Sequence, residues 1–369
     1  MHLQKPVVAV TGLNATDNPG PGVGVIRALR RDPSFAGSVV GLAYDALDPG
    51  LYVEGLLDAA FMLPYPSVGR DAWMDRLAYI SAQVALDVLI PNLDRELPAL
   101  LDQEACLASM GIATMLPTSA QHDLRAKAQL HHLARTAGLP VPPGCTVSHA
   151  DALYGIHERF EGPLVVKGAF HGAEVCHTVH DAVRAFHRTS AEWGMPVVIQ
   201  QYAPGEEVNV CAVGDGRGGL VGAVPMKKLM QTRSGKGWAG VTIKDAALLE
   251  LAATFMQCTQ WRGPCELEVR REVDGTLHLI EVNPRFPAWC ALTAGAGQNL
   301  VSAVVQLALG LDPGTLPPYK VGTAFVRVAL DQILDISALE SITTRGEVLP
   351  STEWTASAGL PSRVEPEPS

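Results

Sequence analysis

Residues 266–286 read ELEVRREVDGTLHLIEVNPRF, and this stretch restricts the chain more than any other. Two runs of alternating apolar residues flank Asp274-Gly275, a dipeptide favoured in tight hairpin turns. With those two residues as the loop, counting outward sets Glu268 opposite Glu281 and Glu266 opposite Asn283. Alternation puts these four side chains on one face, with Leu267, Val269, Leu279 and Val282 on or near the other. Directly opposed carboxylates destabilise a bare sheet. At roughly 5 Å and an effective dielectric of about 20 they repel by about 3 kcal/mol. A divalent cation reverses that sign, and three acids with an amide oxygen are hard ligands suited to Mg2+. The plainer alternative is a solvated strand face. Asn283-Pro284-Arg285 adds a cation at the same end of the hairpin and weighs against it.

At 369 residues the chain is long enough for two or three domains with a sizeable core. It is 47% hydrophobic and 18% charged, a globular balance with no long run of one sign. A net charge of −10 argues against a general nucleic-acid binder, which carries a basic stripe, but a local Lys and Arg cluster can still hold an anionic ligand. The seven cysteines form no CxxC pair, so a reduced, cytoplasmic compartment is expected. Residues 1–5 lead directly into strand-like Val7-Val8-Ala9-Val10. No signal-peptide core and no run long enough to span a bilayer is seen.

Residues 1–118 alternate strand and helix patterns and are expected to form an α/β unit with a largely parallel sheet. Strands are read at 7–11, 38–44 and 88–91, and helices at 25–31, 73–86 and 96–110. Gly20, Gly22 and Gly24 with Asp45 invite a dinucleotide reading, but the spacing is GxGxG and eight residues separate strand from glycine. Closer approach of loop and helix is the better account of these glycines. In 119–196, Ser119 is read as capping a helix that carries Lys127 and ends near Gly138. A strand at 163–167 ends in Lys167 and turns at once through Gly168 to Gly172, a pattern that brings backbone N–H groups and one ammonium onto a phosphate. A snorkelling edge lysine is the alternative.

Residues 197–201 read as a buried strand, followed by a second on which Glu207 and Asn209 share a face. Residues 227–240 hold Lys227, Lys228, Arg233 and Lys236 with three glycines and no acid. They are expected to be a mobile basic loop able to close over a polyphosphate. Asp245 caps a helix with an apolar stripe. Boundaries are placed at 1–118, 119–196, 197–315 with the hairpin, 316–350 packing on the last of these, and a disordered tail at 351–369 rich in Ser, Pro and Glu.

Taken in order, Lys127, Lys167 with its glycine loop, QQYAPGEE and the hairpin resemble the ATP-grasp superfamily, most nearly its carbamoyl-phosphate-synthetase-like carboxylate–amine ligases. The resemblance covers roughly residues 1–315. It implies an α/β, α+β ATP-grasp fold: a Rossmann-like pre-ATP-grasp unit followed by a two-lobed ATP-grasp domain. It further implies that Lys127 and Lys167 reach the ATP phosphates, Lys167 also lying near the adenine, beneath a loop containing Gly168, His171 and Gly172. Gln200 takes the hinge position on the adenine amino group, with the backbone of Gln201 and Tyr202 beside it. Glu207 holds the ribose. Glu268, Glu281 and Asn283 bind Mg2+, and Arg285 contacts the transferred phosphate and the acyl intermediate. The hinge residue is often Glu in the family and is Gln200 here; an amide still accepts the adenine N–H. Phe170 and His171 stand where many relatives have more glycine, and Glu266 is an extra acid, read as a supporting or solvated group.

The reaction implied is ADP-forming: a carboxylate attacks the γ-phosphate, and an amine, an amino acid or peptide, then displaces phosphate. Such phosphoryl transfer needs positioning and charge neutralisation more than acid–base groups. Two Mg2+, replaceable by Mn2+, could share Glu281 at a spacing of about 4 Å. Arg285, helped by Arg233 or Lys236, would stabilise the oxyanion. Two other readings stand beside this one: an ATP-grasp enzyme with a thiol, bicarbonate or carrier-peptide acceptor, and a non-catalytic nucleotide-binding module. The expected partners are ATP and the two small substrates, with no nucleic acid or membrane and with a homodimer left open.

Overall fold

A computed structural model describes residues 5–16, 19–124, 130, 133, 138–160, 162–168, 172–232 and 235–349. The first sheet contains β1 (Val7–Val10), β2 (Ser38–Ala43), β3 (Ala59–Met62) and β4 (Val88–Ile90), parallel in the order β3-β2-β1-β4. Its strands are continuous apolar runs because both faces are covered, and Val8, Val10, Val39, Leu42 and Phe61 are fully buried. Strand β3 escapes a reading from sequence: four residues, two of them alanine, carry little strand propensity. The helix expected at 96–110 is two short helices, Leu97–Leu100 and Glu104–Ser109. Asp102 between them has φ 63, a left-handed conformation that no helix continues through.

The capping residue of the helix Ser119–Leu124 is Thr118 rather than Ser119. Thr118 Oγ1 accepts the Gln121 N–H at 3.2 Å, and Gln121 Oε1 accepts the Thr118 N–H at 2.9 Å, a reciprocal capping box. The small antiparallel sheet holds β5 (Gly144–Val147), β6 (Leu164–Lys167), β7 (Ala173–Cys176) and β8 (Val197–Gln201), in the order β5-β8-β6-β7. Helix Val179–Trp193 packs on it through Ala182, Ala185 and Phe186.

The large sheet is β9 (Glu206–Asp215), β10 (Leu220–Gln231), β11 (Gly237–Thr242), β12 (Arg262–Arg271), β13 (Leu277–Asn283) and β14 (Ala324–Val326), ordered β13-β12-β9-β10-β11-β14. One face presents Val208, Val210, Leu267, Val269, Leu279 and Val282 to helix Ala246–Thr259, whose N-terminus Asp245 caps by accepting the Leu248 N–H at 3.0 Å. The other face, through Cys211, Val213, Val224 and Met226, shares a core with helices Leu300–Ala308 and Gly22–Arg31. A Cβ on Gly24 would meet Cys290 Sγ, in the segment after β13, at 3.2 Å, and one on Gly20 or Gly22 would meet the backbone of Gly12 or Thr11, so the glycine-rich run serves close approach of helix and loop.

Residues 227–231 and 237–240 are not a loop. They lie in the two arms of the β10–β11 hairpin, with Lys228 opposite Gly240 and Gln231 opposite Gly237. Strand pairing wins because Lys227 and Lys228 alternate onto opposite faces, where each finds its own carboxylate: Glu206 for Lys227, Glu207 for Lys228. The segment expected to pack on the large lobe is shared. Strand β14 extends the large sheet, whereas β15 (Glu347–Val348), after helix Ile336–Arg345, pairs antiparallel with β3. Residues 350–369 lie outside the described residues.

At the carboxyl ends of β1 and β4, Glu96 is fully buried. Its Oε2 accepts from Thr11 Oγ1 at 2.6 Å and from the amides of Asn92 and Leu93 at 3.1 Å each. Burial pushes the carboxyl up to about 7, against the pull of Thr11 and the other donors. A carboxyl raised above its unfolded value adds stability that is full below the unfolded pKa and lost as pH climbs through the folded one. Between about pH 4.5 and 7 the loss is of order 3 kcal/mol. Glu96→Gln is therefore expected to flatten the fall in urea-derived stability from pH 5 to pH 8. Equal slopes in the two proteins would contradict this account.

Candidate active site

The hairpin keeps the expected pairing at its carboxylate end but reaches it by another route. The loop is three residues, not two: the Glu272 N–H donates to Thr276 O at 2.9 Å, and Gly275 takes φ 93. Arg271 then pairs with Leu277 and Val269 with Leu279, one residue out of the two-residue register. A bulge at Ile280 on β13 takes up the difference, so Glu268 faces Glu281 and Glu266 faces Asn283 after all. A three-residue loop closed by a left-handed glycine is the next commonest hairpin connection.

Those residues meet β9 and β10 on a single face. Glu268 pairs with Asn209 and Glu266 with Cys211, while Lys228 lies at the Glu207 level. Glu266 is buried and its role is now visible. Its Oε1 accepts from Asn209 Nδ2 at 2.7 Å and Trp289 Nε1 at 2.8 Å, and its Oε2 accepts from Asn283 Nδ2 at 3.1 Å. Asn283 Nδ2 also donates to Glu268 Oε1 at 2.9 Å. The amide nitrogen thus supplies positive character between two carboxylates. Burial and the adjacent Glu268 raise the Glu266 pKa, against the opposing pull of Arg285, Trp289 and Lys228.

Lys228 is a site cation hidden in the sequence by its apparent loop. Its side chain is 6% exposed, paired with Glu207, and donates to Gly235 O at 3.2 Å. Burial works against its ammonium, but Glu268 and Glu207 outweigh burial and raise its pKa. Lys227 belongs to another cluster, with Glu206, Arg271 and Asp245 on the opposite face. Lys236 is exposed at the hairpin tip.

Arg285 follows β13 and meets the first sheet: its Nε donates to Asp94 Oδ2 at 3.0 Å and its guanidinium to Phe286 O at 3.2 Å. Burial disfavours its charge, yet Asp94, Glu266 and Glu268 raise its pKa overall. Lys167 is buried and reaches across from the small sheet, its Nζ donating to the bulged Ile280 O at 3.4 Å. Gly168 and Gly172 close the β6–β7 turn through an N–H to O contact of 3.3 Å. Gln200 is buried, with Nε2 at 3.5 Å from Pro142 O. The backbone N–H groups of Gln201 and Tyr202 donate to Pro143 O at 2.8 Å and Pro163 O at 2.9 Å. Lys127, His171 and Arg233 lie outside the described residues.

Asp94, Asn209 and Lys228 were not identified as site residues from sequence. Asn209 and Lys228 sit on strands whose alternation signals their face; Asp94 is 191 residues from Arg285 and carries no such signal. Among the described residues no three His, Cys, Asp or Glu side chains converge as a metal cluster. The oxygen set is instead two carboxylates and an amide. Among those residues, too, no helix is long and apolar enough to cross a membrane.

With this geometry in place, the family described as "ATP-grasp in the biosynthetic pathway with Ter operon" matches residues 195–329, from β8 through β14. A phosphoribosylamine–glycine ligase of Synechocystis sp. is 31% identical over 127 residues, which span 33% of this chain and 30% of that relative. In structure the chain resembles biotin carboxylase from Campylobacter jejuni, with a TM-score of 0.67, 18% identity, and coverage of 87% of this chain and 74% of that one. It also resembles the L-amino acid ligase from Bacillus licheniformis, with a TM-score of 0.62, 17% identity, and coverage of 84% and 76%. Residues 195–329, which carry the carboxylate-bearing hairpin, thus match an ATP-grasp family, and the chain as a whole shares its fold with these solved enzymes.

Proposed function

We propose that the chain is an ADP-forming ligase that activates a small carboxylate with ATP and joins it to an amine, an amino acid or peptide. The observation that carries this reading is the opposition of Glu268 and Glu281 on one sheet face, with Asn283 and Arg285 at the same end. Two carboxylates and an amide suit a hard divalent cation, provided Asn283 turns its oxygen inward; the donor nitrogen of that amide between Glu266 and Glu268 supports a spot that favours positive charge. Mg2+ held there, one ion or two, would neutralise charge on the β- and γ-phosphates, and Mn2+ could replace it.

This chain's own residues bind and orient. Lys167, Lys127 and the loop with Gly168, His171 and Gly172 hold the phosphates. Gln200, Gln201 and Tyr202 flank the adenine, and Glu207 takes the ribose, exchanging its contact with Lys228. The substrate carboxylate oxygen then bonds to the γ-phosphorus as the bond to ADP breaks. The amine lone pair attacks the acyl carbon, phosphate leaves, and the surplus amine proton is released. Arg285, with Arg233 or Lys236, stabilises the charge that develops on oxygen. The phosphoribosylamine–glycine ligase and L-amino acid ligase resemblances support an amine acceptor. The nucleotide-bound biotin carboxylase supports the ATP site. We divide the chain functionally into a unit at 1–118 and lobes at 119–196 and 197–315.

The test is ADP release from Mg2+ and ATP with amino acids offered in pairs. ADP and phosphate appearing only with a productive pair is the expected result. AMP with pyrophosphate would refute the acyl-phosphate route, and turnover only with bicarbonate or a thiol would replace the amine.

A further inference from the structure

The Asp94–Arg285 contact joins the loop after β4 to the end of the metal-face hairpin, with the side chains 17% and 14% exposed. The loop that presents Asp94 is held from several sides. Glu96 Oε2 accepts both the Asn92 and Leu93 amides, and Asn92 Nδ2 donates to Thr11 O at 3.1 Å and Ile90 O at 3.0 Å. A carboxylate on such a base has little freedom to follow a wandering arginine; the arginine must come to it. Arg285 itself follows Pro284, and its charge interacts with both Glu266 and Glu268.

We propose that Asp94 is a positioning residue: by gripping the Nε edge of Arg285 it sets the guanidinium against the carboxylate end of the hairpin, so the first sheet orients a group used at the transferred phosphate. Arg285's task rests on the ligase reading; the grip does not. A planar guanidinium has five donors in a fixed fork, so fixing one edge fixes the direction of the rest.

The test is a double-mutant cycle read by calorimetric binding of the Mg2+ complexes of β,γ-imido-ATP and ADP. Asp94→Ala and Arg285→Ala should each weaken the triphosphate analogue about tenfold and leave ADP within about twofold. The double variant should be no weaker than Arg285→Ala alone, and Asp94→Asn, whose amide oxygen can still accept the Nε–H, should recover most of the loss. Additive losses, equal weakening of ADP, or wild-type binding by Asp94→Ala would overturn the proposal. Should the wild type bind neither nucleotide, the ligase reading fails by itself. The grip is then read by phenylglyoxal labelling of Arg285. Asp94→Ala should speed it at least about threefold with Asp94→Asn near wild type, and unchanged labelling would overturn the proposal.

Discussion

Glu281→Gln and Glu268→Gln are each expected to lower ATP-dependent turnover by about a thousandfold or more, while the metal-free protein melts slightly higher. The two effects have one cause. The side chains face each other across β12 and β13, so in the absence of a cation each carboxylate raises the energy of the other. Lys228 and the Asn283 amide relieve part of that repulsion, which keeps the expected gain in apo stability below about 1 kcal/mol. A cation binding to this face needs both negative charges, and a neutral amide at either position removes one. Steady-state ADP release at saturating Mg2+, together with melting in chelator, decides the matter. Wild-type turnover in both variants would remove the metal assignment.

Glu266→Ala is expected to have the largest effect on stability, a loss of about 3–5 kcal/mol. The substitution strands three donors at once, those of Asn209, Trp289 and Asn283, and withdraws negative charge that helps hold Arg285. Each buried donor left without an acceptor carries its own desolvation cost. Glu266→Gln should be milder but still damaging, because its NH2 group meets donors where an oxygen met them before. Urea unfolding of the two variants checks this. A loss under about 1 kcal/mol for the alanine variant would mean that water replaces the carboxylate freely.

The hairpin shows how far the residues could be read without coordinates. Alternation put Leu267, Val269 and Val282 on the core face and the four polar residues on the other; Leu279 shares the parity of Glu281, and the bulge at Ile280 is what turns it into the core. The loop length was misread, yet the register at Glu268 and Glu281 survived because the bulge at Ile280 compensates. A bulge has no composition of its own; this one reconciles the three-residue loop with the pairing further along the strands, and its Ile280 carbonyl accepts from Lys167 Nζ at 3.4 Å. Residues 227–240 failed for a different reason. Lys227 and Lys228, set among further cations and three glycines, look solvated only while their carboxylate partners on β9, Glu206 and Glu207, are unknown.

By itself the amino-acid sequence determined the alternating α/β start, the carboxylate-bearing hairpin, the order of the motifs from which phosphate and metal ligands are proposed, and the family resemblance those imply. Each of these is built from local periodicities or motifs, every one legible within a short stretch of chain. Tertiary structure alone decided what lies opposite each charge: Asp94 on Arg285, Lys228 on Glu207, and Asn209, Asn283 and Trp289 on Glu266. The reason is physical. A buried charge is stable only when another element supplies its partner, and partners separated by up to 191 residues are chosen by packing, not by spacing along the chain.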